Sequence, residues 1–131
     1  MREIQLGKKF SVTKIVTEDM LAVNVGSGDA RVFSTPMLAA LIENAAMNCV
    51  IDYLDDNEST VGTYIAINHI SATPCGCEVT ANAVVKSVNG KEITFEVSAF
   101  DKCGEIANGE HKRFAVNAQK FQNKADAKLI D

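Results

Sequence analysis

Residues 34–54 read Ser34-Thr-Pro-Met-Leu-Ala-Ala-Leu-Ile-Glu-Asn-Ala-Ala-Met-Asn-Cys-Val-Ile-Asp-Tyr-Leu54, and this stretch decides the fold. Thr35 is placed to cap a helix with its hydroxyl, and Pro36 suits the first helical position, where a missing N–H costs nothing. Leu38, Leu41, Ile42, Ala45, Ala46, Cys49, Val50 and Tyr53 recur at steps of three and four, which predicts one helix with a broad buried stripe running to about Leu54. The alanines at 39, 40, 45 and 46 predict close packing against another backbone.

Downstream of this helix, after the polar turn Asp55 to Ser59, the apolar period changes to two. It predicts four strands over 61–73, 78–88, 92–100 and 105–117. Asn89-Gly90 signals a tight hairpin with positive φ at both central residues, Asp101 to Gly104 signals a second turn, and Pro74-Cys-Gly76 interrupts the first pair. These strands are expected to form an antiparallel meander. Upstream, Phe10, Val12 and Ile15 predict a strand over 9–17, and Asn24 to Ala30 a loop. Val32-Phe33 is a short apolar piece leading into the helix.

One long helix among antiparallel strands is an α+β layout in which the sheet wraps the helix. A single helix covers such a sheet poorly, so a two-fold homodimer is expected, with pairing of dimers into tetramers left open. Residues 1–131 are expected to form one domain, with 121–131 a polar tail that frays.

The chain has 131 residues, 47% hydrophobic and 23% charged, which is ordinary globular composition. A formal net charge of −4 without a basic run argues against a nucleic-acid partner. No stretch approaches the roughly 20 apolar residues of a membrane span, and residues 1–15 show no apolar run of signal-peptide length. The expected location is the cytoplasm, with Cys49, Cys75, Cys77 and Cys103 as free thiols.

Glu43 falls in the row Ala39, Glu43, Ala46, Val50, a carboxylate on an otherwise apolar or small stripe. Desolvation there would disfavour its charged form, as suits a base or nucleophile; a boundary glutamate reaching water is the plain alternative. His69 shares strand parity with Thr63, Ile65 and Ile67, as a satisfied core histidine also would. Thr35, two turns before Glu43, is at the least a cap, and the helix N-terminus beside it can favour a developing negative oxygen. Cys75-Gly-Cys77 lacks a second matching pair, so no metal is expected. His111 and Arg113 share a face of the last strand with Ala107, Gly109 and Ala115, where Arg113 can hold a phosphate or form an ion pair.

Phe33-Ser-Thr-Pro-Met-Leu38 with Glu43, Gly62-Thr63 with Asn68-His69, Ala72-Thr-Pro74, Ser87 to Gly90 and His111-Lys-Arg113 together resemble the fluoroacetyl-CoA thioesterase-like family of hotdog-fold acyl-CoA thioesterases. The resemblance spans nearly the whole chain. It implies a dimeric hotdog fold and metal-free, cofactor-free hydrolysis of an acyl-CoA thioester. Thr35, Glu43 and His69 would be the catalytic set, and Gly62 and Arg113 would contact the substrate together with Phe33. Glu43 would then be base or nucleophile, His69 would polarise the ester and protonate the thiolate, and Thr35 would orient or relay protons. Gly62, lacking a side chain, lets its N–H approach the thioester oxygen. The segment between Phe10 and Thr35 is shorter than the family's and has no phenylalanine-bearing lid, Phe33 being its only aromatic residue. That departure implies a short acyl-CoA of general metabolism rather than specificity for fluoroacetyl-CoA, with the acyl group itself left open. An enoyl-CoA hydratase of the same fold and a noncatalytic acyl-CoA binding or sensing module are the competing expectations.

Overall fold

The computed structural model describes residues 1–130. Five strands, β1 (Lys9–Ile15), β2 (Glu58–His69), β3 (Glu78–Asn89), β4 (Glu92–Asp101) and β5 (Gly104–Asn117), form one sheet. Its helices are the single turn α1 (Ala22–Val25), the long α2 (Thr35–Val50) and the C-terminal α3 (Ala118–Asp126). α2 touches all five strands, so the sheet wraps it in the expected hotdog arrangement.

The α2 stripe is the expected one: Leu38, Leu41, Ile42, Ala45, Ala46, Cys49 and Val50 are buried. They pack on Val79, Ala81, Ala83 and Val85 of β3 and on Ile93, Phe95, Val97 and Ala99 of β4. Alanines on both sides allow the helix backbone to lie close to β3, which is the strand it touches most. The helix stops at Val50 and continues as a 3₁₀ turn, Ile51–Tyr53. Its N-cap is Ser34 rather than Thr35: Ser34 is extended (φ −77°, ψ 148°) and its hydroxyl accepts from the Met37 N–H at 3.3 Å. Thr35 is therefore the first helical residue, and its hydroxyl is not used in capping.

The strand order is β1-β3-β4-β5-β2, antiparallel throughout. The expected four-strand meander holds for β3, β4 and β5 only. β2 pairs with β5, and residues 70–77 carry the chain from one edge of the sheet towards the other. In that crossing Gly76 takes φ +92° and Pro74 bridges to Val32. Alternation reports which face a residue takes, not which strand lies beside it.

At the first hairpin the loop is Gly90-Lys91 between paired Asn89 and Glu92, and Gly90 alone takes positive φ (+63°), so only one centre is left-handed. The expected polar tail, 121–131, begins inside a helix. Ala118–Asp126 is helical, capped by Asn117, which accepts from the Lys120 N–H at 2.9 Å; Asp131 lies outside the described residues. Among the described residues no helix is long and apolar enough to cross a membrane.

Candidate active site

Two clusters of candidate site residues lie along α2 and β2. At the first turn of α2 the Thr35 hydroxyl is 2.8 Å from His69 Nδ1, at the end of β2. The other ring nitrogen, Nε2, is buried and has no hydrogen-bond partner among the described residues. Burial is the main influence on His69 and holds its pKa below the ordinary value, with the neighbouring Ser71 backbone opposing that fall. A cleft of about 310 Å³ opens here, lined by Phe33, Ser34, Thr35, His69, Ile70 and Ser71 among others.

Two turns along the helix, Glu43 forms the second cluster with Gly62, His111 and Arg113. A methyl group added at Gly62 would lie 3.3 Å from His111 Cε1, 3.5 Å from Arg113 Nη1 and 3.6 Å from Glu43 Oε2. The missing side chain thus leaves a small space with a carboxylate on one side and a guanidinium on another. Glu43 is half-buried and forms no ion pair within 4.0 Å among the described residues. Arg113 is 6% exposed, and its Nε and Nη2 donate to the Thr60 hydroxyl and carbonyl, each at 2.9 Å. Desolvation lowers the Arg113 pKa and the charge of Glu43 opposes that shift.

A β-bulge between Gly62 and Tyr64 is what lets both clusters share one face of β2. Gly62 pairs with Arg113 and Tyr64 with Lys112, so Thr63 is the extra residue and its hydroxyl bonds to the Lys112 carbonyl. Simple parity put Thr63 on the face of Ile65, Ile67 and His69; the bulge replaces it there with Gly62. His111 and Thr60 complete the arrangement and were not among the expected site residues. The alternation His111-Lys-Arg113 was the visible signal for the first; nothing marked Thr60.

Phe33, 2% exposed, walls the His69 cleft on one side and a second cavity of about 220 Å³ on the other. That second cavity is mainly apolar, with Met20, Met37 and Leu41 in its lining and Lys14 beside them. The four cysteines stand free, and among the described residues no group of three or more His, Cys, Asp or Glu is gathered to hold a metal ion.

A family model described as fluoroacetyl-CoA-specific thioesterase matches residues 16–119. The chain belongs to that family. Relative to the fluoroacetyl-CoA thioesterase of Streptantibioticus cattleyicolor it is 37% identical over 97 residues, 74% of this chain and 70% of that protein. The crystal structure of a point mutant of the fluoroacetyl-CoA-specific thioesterase FlK superposes with a TM-score of 0.91 at 29% identity, covering 98% of this chain and 99% of that one. A thioesterase superfamily member from Thermus thermophilus superposes at 0.90 with 20% identity over 98% and 96% of the two chains, a likeness of fold. This member of the fluoroacetyl-CoA-specific thioesterase family therefore has the hotdog fold its sequence implied.

Proposed function

We propose that this chain is a homodimeric acyl-CoA thioesterase, which hydrolyses a short acyl-CoA to the free acid and CoA at sites built across the dimer two-fold. Membership of the family supports the reaction class. The observation that carries the site assignment is the Thr35–His69 hydrogen bond beside an unpartnered, buried Nε2. With the Thr35 hydroxyl donating to Nδ1, Nε2 carries the proton and lacks an acceptor, a costly state that a thioester oxygen would relieve. His69 is then positioned to polarise the carbonyl and later to protonate the departing thiolate. Glu43 supplies the carboxylate step, either attacking the carbonyl carbon or taking a proton from the attacking water. Hydrolysis by this set requires no metal and no cofactor, so activity is expected to persist in chelator.

Thr35 and Glu43 are eight residues apart on one helix, about 12 Å along its axis, too far to act on one carbonyl. The two sheet edges suggest how the clusters meet. β1 carries Lys9 and Lys14, the kind of charged edge that resists pairing, whereas β2 has no Lys, Arg, Asp or Glu from Ser59 to His69. Antiparallel pairing of two β2 strands about a two-fold near residues 65 and 66 brings Gly62 and Glu43 of one protomer towards the partner's His69. That pairing would build two complete sites per dimer, each open to a short acyl-CoA. The cytoplasm, where acyl-CoA esters of general metabolism are found, is the proposed location.

Release of CoA thiol is to be followed over a panel of short acyl-CoAs, fluoroacetyl-CoA included, with Glu43→Ala and His69→Ala as controls. Thiol release abolished by either substitution supports the thioesterase. Binding without release would make the chain an acyl-CoA sensor, and an enoyl absorbance change without thiol would make it a hydratase. Mixing the two inactive variants tests the shared site: random pairing of protomers restores about a quarter of wild-type activity if sites span subunits, and none if each lies in one chain.

A further inference from the structure

His111 is fully buried, yet both ring nitrogens are engaged. Nδ1 lies 2.7 Å from the Tyr64 carbonyl, and Nε2 lies 3.2 Å from Arg113 Nη1. A carbonyl only accepts and a guanidinium only donates. Nδ1 must therefore carry the hydrogen and Nε2 must be a bare acceptor, which fixes both the neutral state and the tautomer.

The sequence arranges this through two separate features. Alternation on β5 puts His111 two residues before Arg113 on the inner face, and the bulge at Thr63 on β2 sets the Tyr64 carbonyl against the ring. Phe95 of β4 lies beside the imidazole at a centroid distance of 6.0 Å and 24° between planes. Three of the guanidinium's five N–H groups are thereby committed, two to Thr60 and one to His111, and Nη1 is held beside the space over Gly62.

We propose that neutral His111 is a positioning residue, which aims Arg113 at the reacting carbonyl over Gly62 and frees it when protonated. A proton on Nε2 would turn the acceptor towards a like charge and break the contact. The charged and titratable groups facing the ring are Arg113 on its own strand and Glu43 on α2; β2 presents a carbonyl and β4 an uncharged ring. Burial is the largest influence and lowers the His111 pKa, the Tyr64 carbonyl raises it, Arg113 lowers it and Glu43 raises it, with a net fall. The device is therefore set at neutral pH and released on the acid side.

The kinetic consequence rests on the thioesterase reading, whereas the tautomer does not. The chain has two histidines, so a long-range ¹H–¹⁵N correlation spectrum of the full-length protein, assigned with His69→Ala, reads His111 directly. The expected pattern at pH 7 is neutral with hydrogen on Nδ1; hydrogen on Nε2, or a charged ring, overturns the proposal. In kinetics, His111→Phe keeps an aromatic ring beside Phe95 and removes the acceptor. It should lower kcat/KM by about tenfold to 100-fold. His111→Gln, an acceptor that does not titrate, should recover most of that loss and flatten the acid side of the pH profile. His111→Phe that folds and keeps full activity overturns the idea, as does an effect that simply adds to that of Arg113→Lys in the double variant. If the variants do not fold, the wild-type spectrum decides. A wild type that releases no thiol from any acyl-CoA sinks the proposed reaction while leaving the tautomer to be judged on its own.

Discussion

Gly62 shows how much of this site depends on a missing group. Its backbone is not in the left-handed region, so alanine is conformationally allowed, and the consequence lies in the space above it. The added methyl would press on His111 Cε1 at 3.3 Å and occupy ground shared by Arg113 and Glu43. We expect Gly62→Ala to fold with nearly unchanged melting temperature and to lose at least about tenfold in kcat/KM, because misplacement of reacting groups is costly out of proportion to its size. An active Gly62→Ala would move the reacting carbonyl elsewhere. The histidines give a second expectation at this scale. Burial lowers both the His69 and the His111 pKa. The unfolded chain, with histidine near pKa 6.5, therefore takes up protons before the folded one does. Their contribution to stability is fully present above about pH 6.5 and is lost as the pH falls from there towards the depressed folded values. Denaturant melts at pH 7 and pH 5.5 should show lower stability in acid, with a smaller difference in His111→Gln; equal stability would contradict the buried, neutral state assigned to these rings.

Among the elements, α2 begins with two adjacent hydroxyls, and the structure divides their work. Ser34 caps while Thr35 faces His69, so Ser34→Ala should cost about 1 kcal/mol of stability. Thr35→Ala should remove hydrolysis with a smaller effect on stability, and a reversed result in thermal melts and thiol release would reverse the assignment. The same pair shows where the sequence was legible and where it was not. Spacing at three and four residues revealed the buried stripe of α2, and alternation revealed the four later strands, because both are local properties of one element. The choice between Ser34 and Thr35 as cap turns on one backbone conformation that either residue can adopt. Pairing of β2 with β5 is a long-range outcome that alternation does not encode. The bulge at Thr63 inserts a residue into β2 without any glycine or proline at the inserted position, so parity placed Thr63 on the wrong face. Thr35, Glu43, His69, Gly62 and Arg113 were singled out through their combined resemblance to a family, and the structure gathers them into two clusters along α2 and β2, whereas His111 and Thr60 gained meaning only when their hydrogen bonds to Arg113 could be seen.

For the whole molecule, the unequal edges of the sheet are the feature on which the proposed dimer rests. A single helix shields one face of five strands, and the two edge strands are left to solvent or to a partner. The lysines of β1 oppose addition of a further strand there, while β2 offers an uncharged run whose inner face carries half-buried Ile65 and Ile67. Ala66, exposed at the middle of this run, lies close to the expected two-fold, so a charge placed there would meet its own copy. Ala66→Lys and Ala66→Glu should each weaken the dimer, by up to about fivefold from direct like-charge pairing, without changing the circular dichroism of the monomer. Mixing the two variants should restore dimers, now as heterodimers, because opposite charges face each other across the axis. Light scattering at a series of concentrations, with thiol release measured on the same samples, tests assembly and activity together. Activity that falls with each single variant and returns on mixing ties the reaction to the β2 edge. Dimers indifferent to both charges would place the interface on another surface and leave the two clusters of one chain without the partner that joins them.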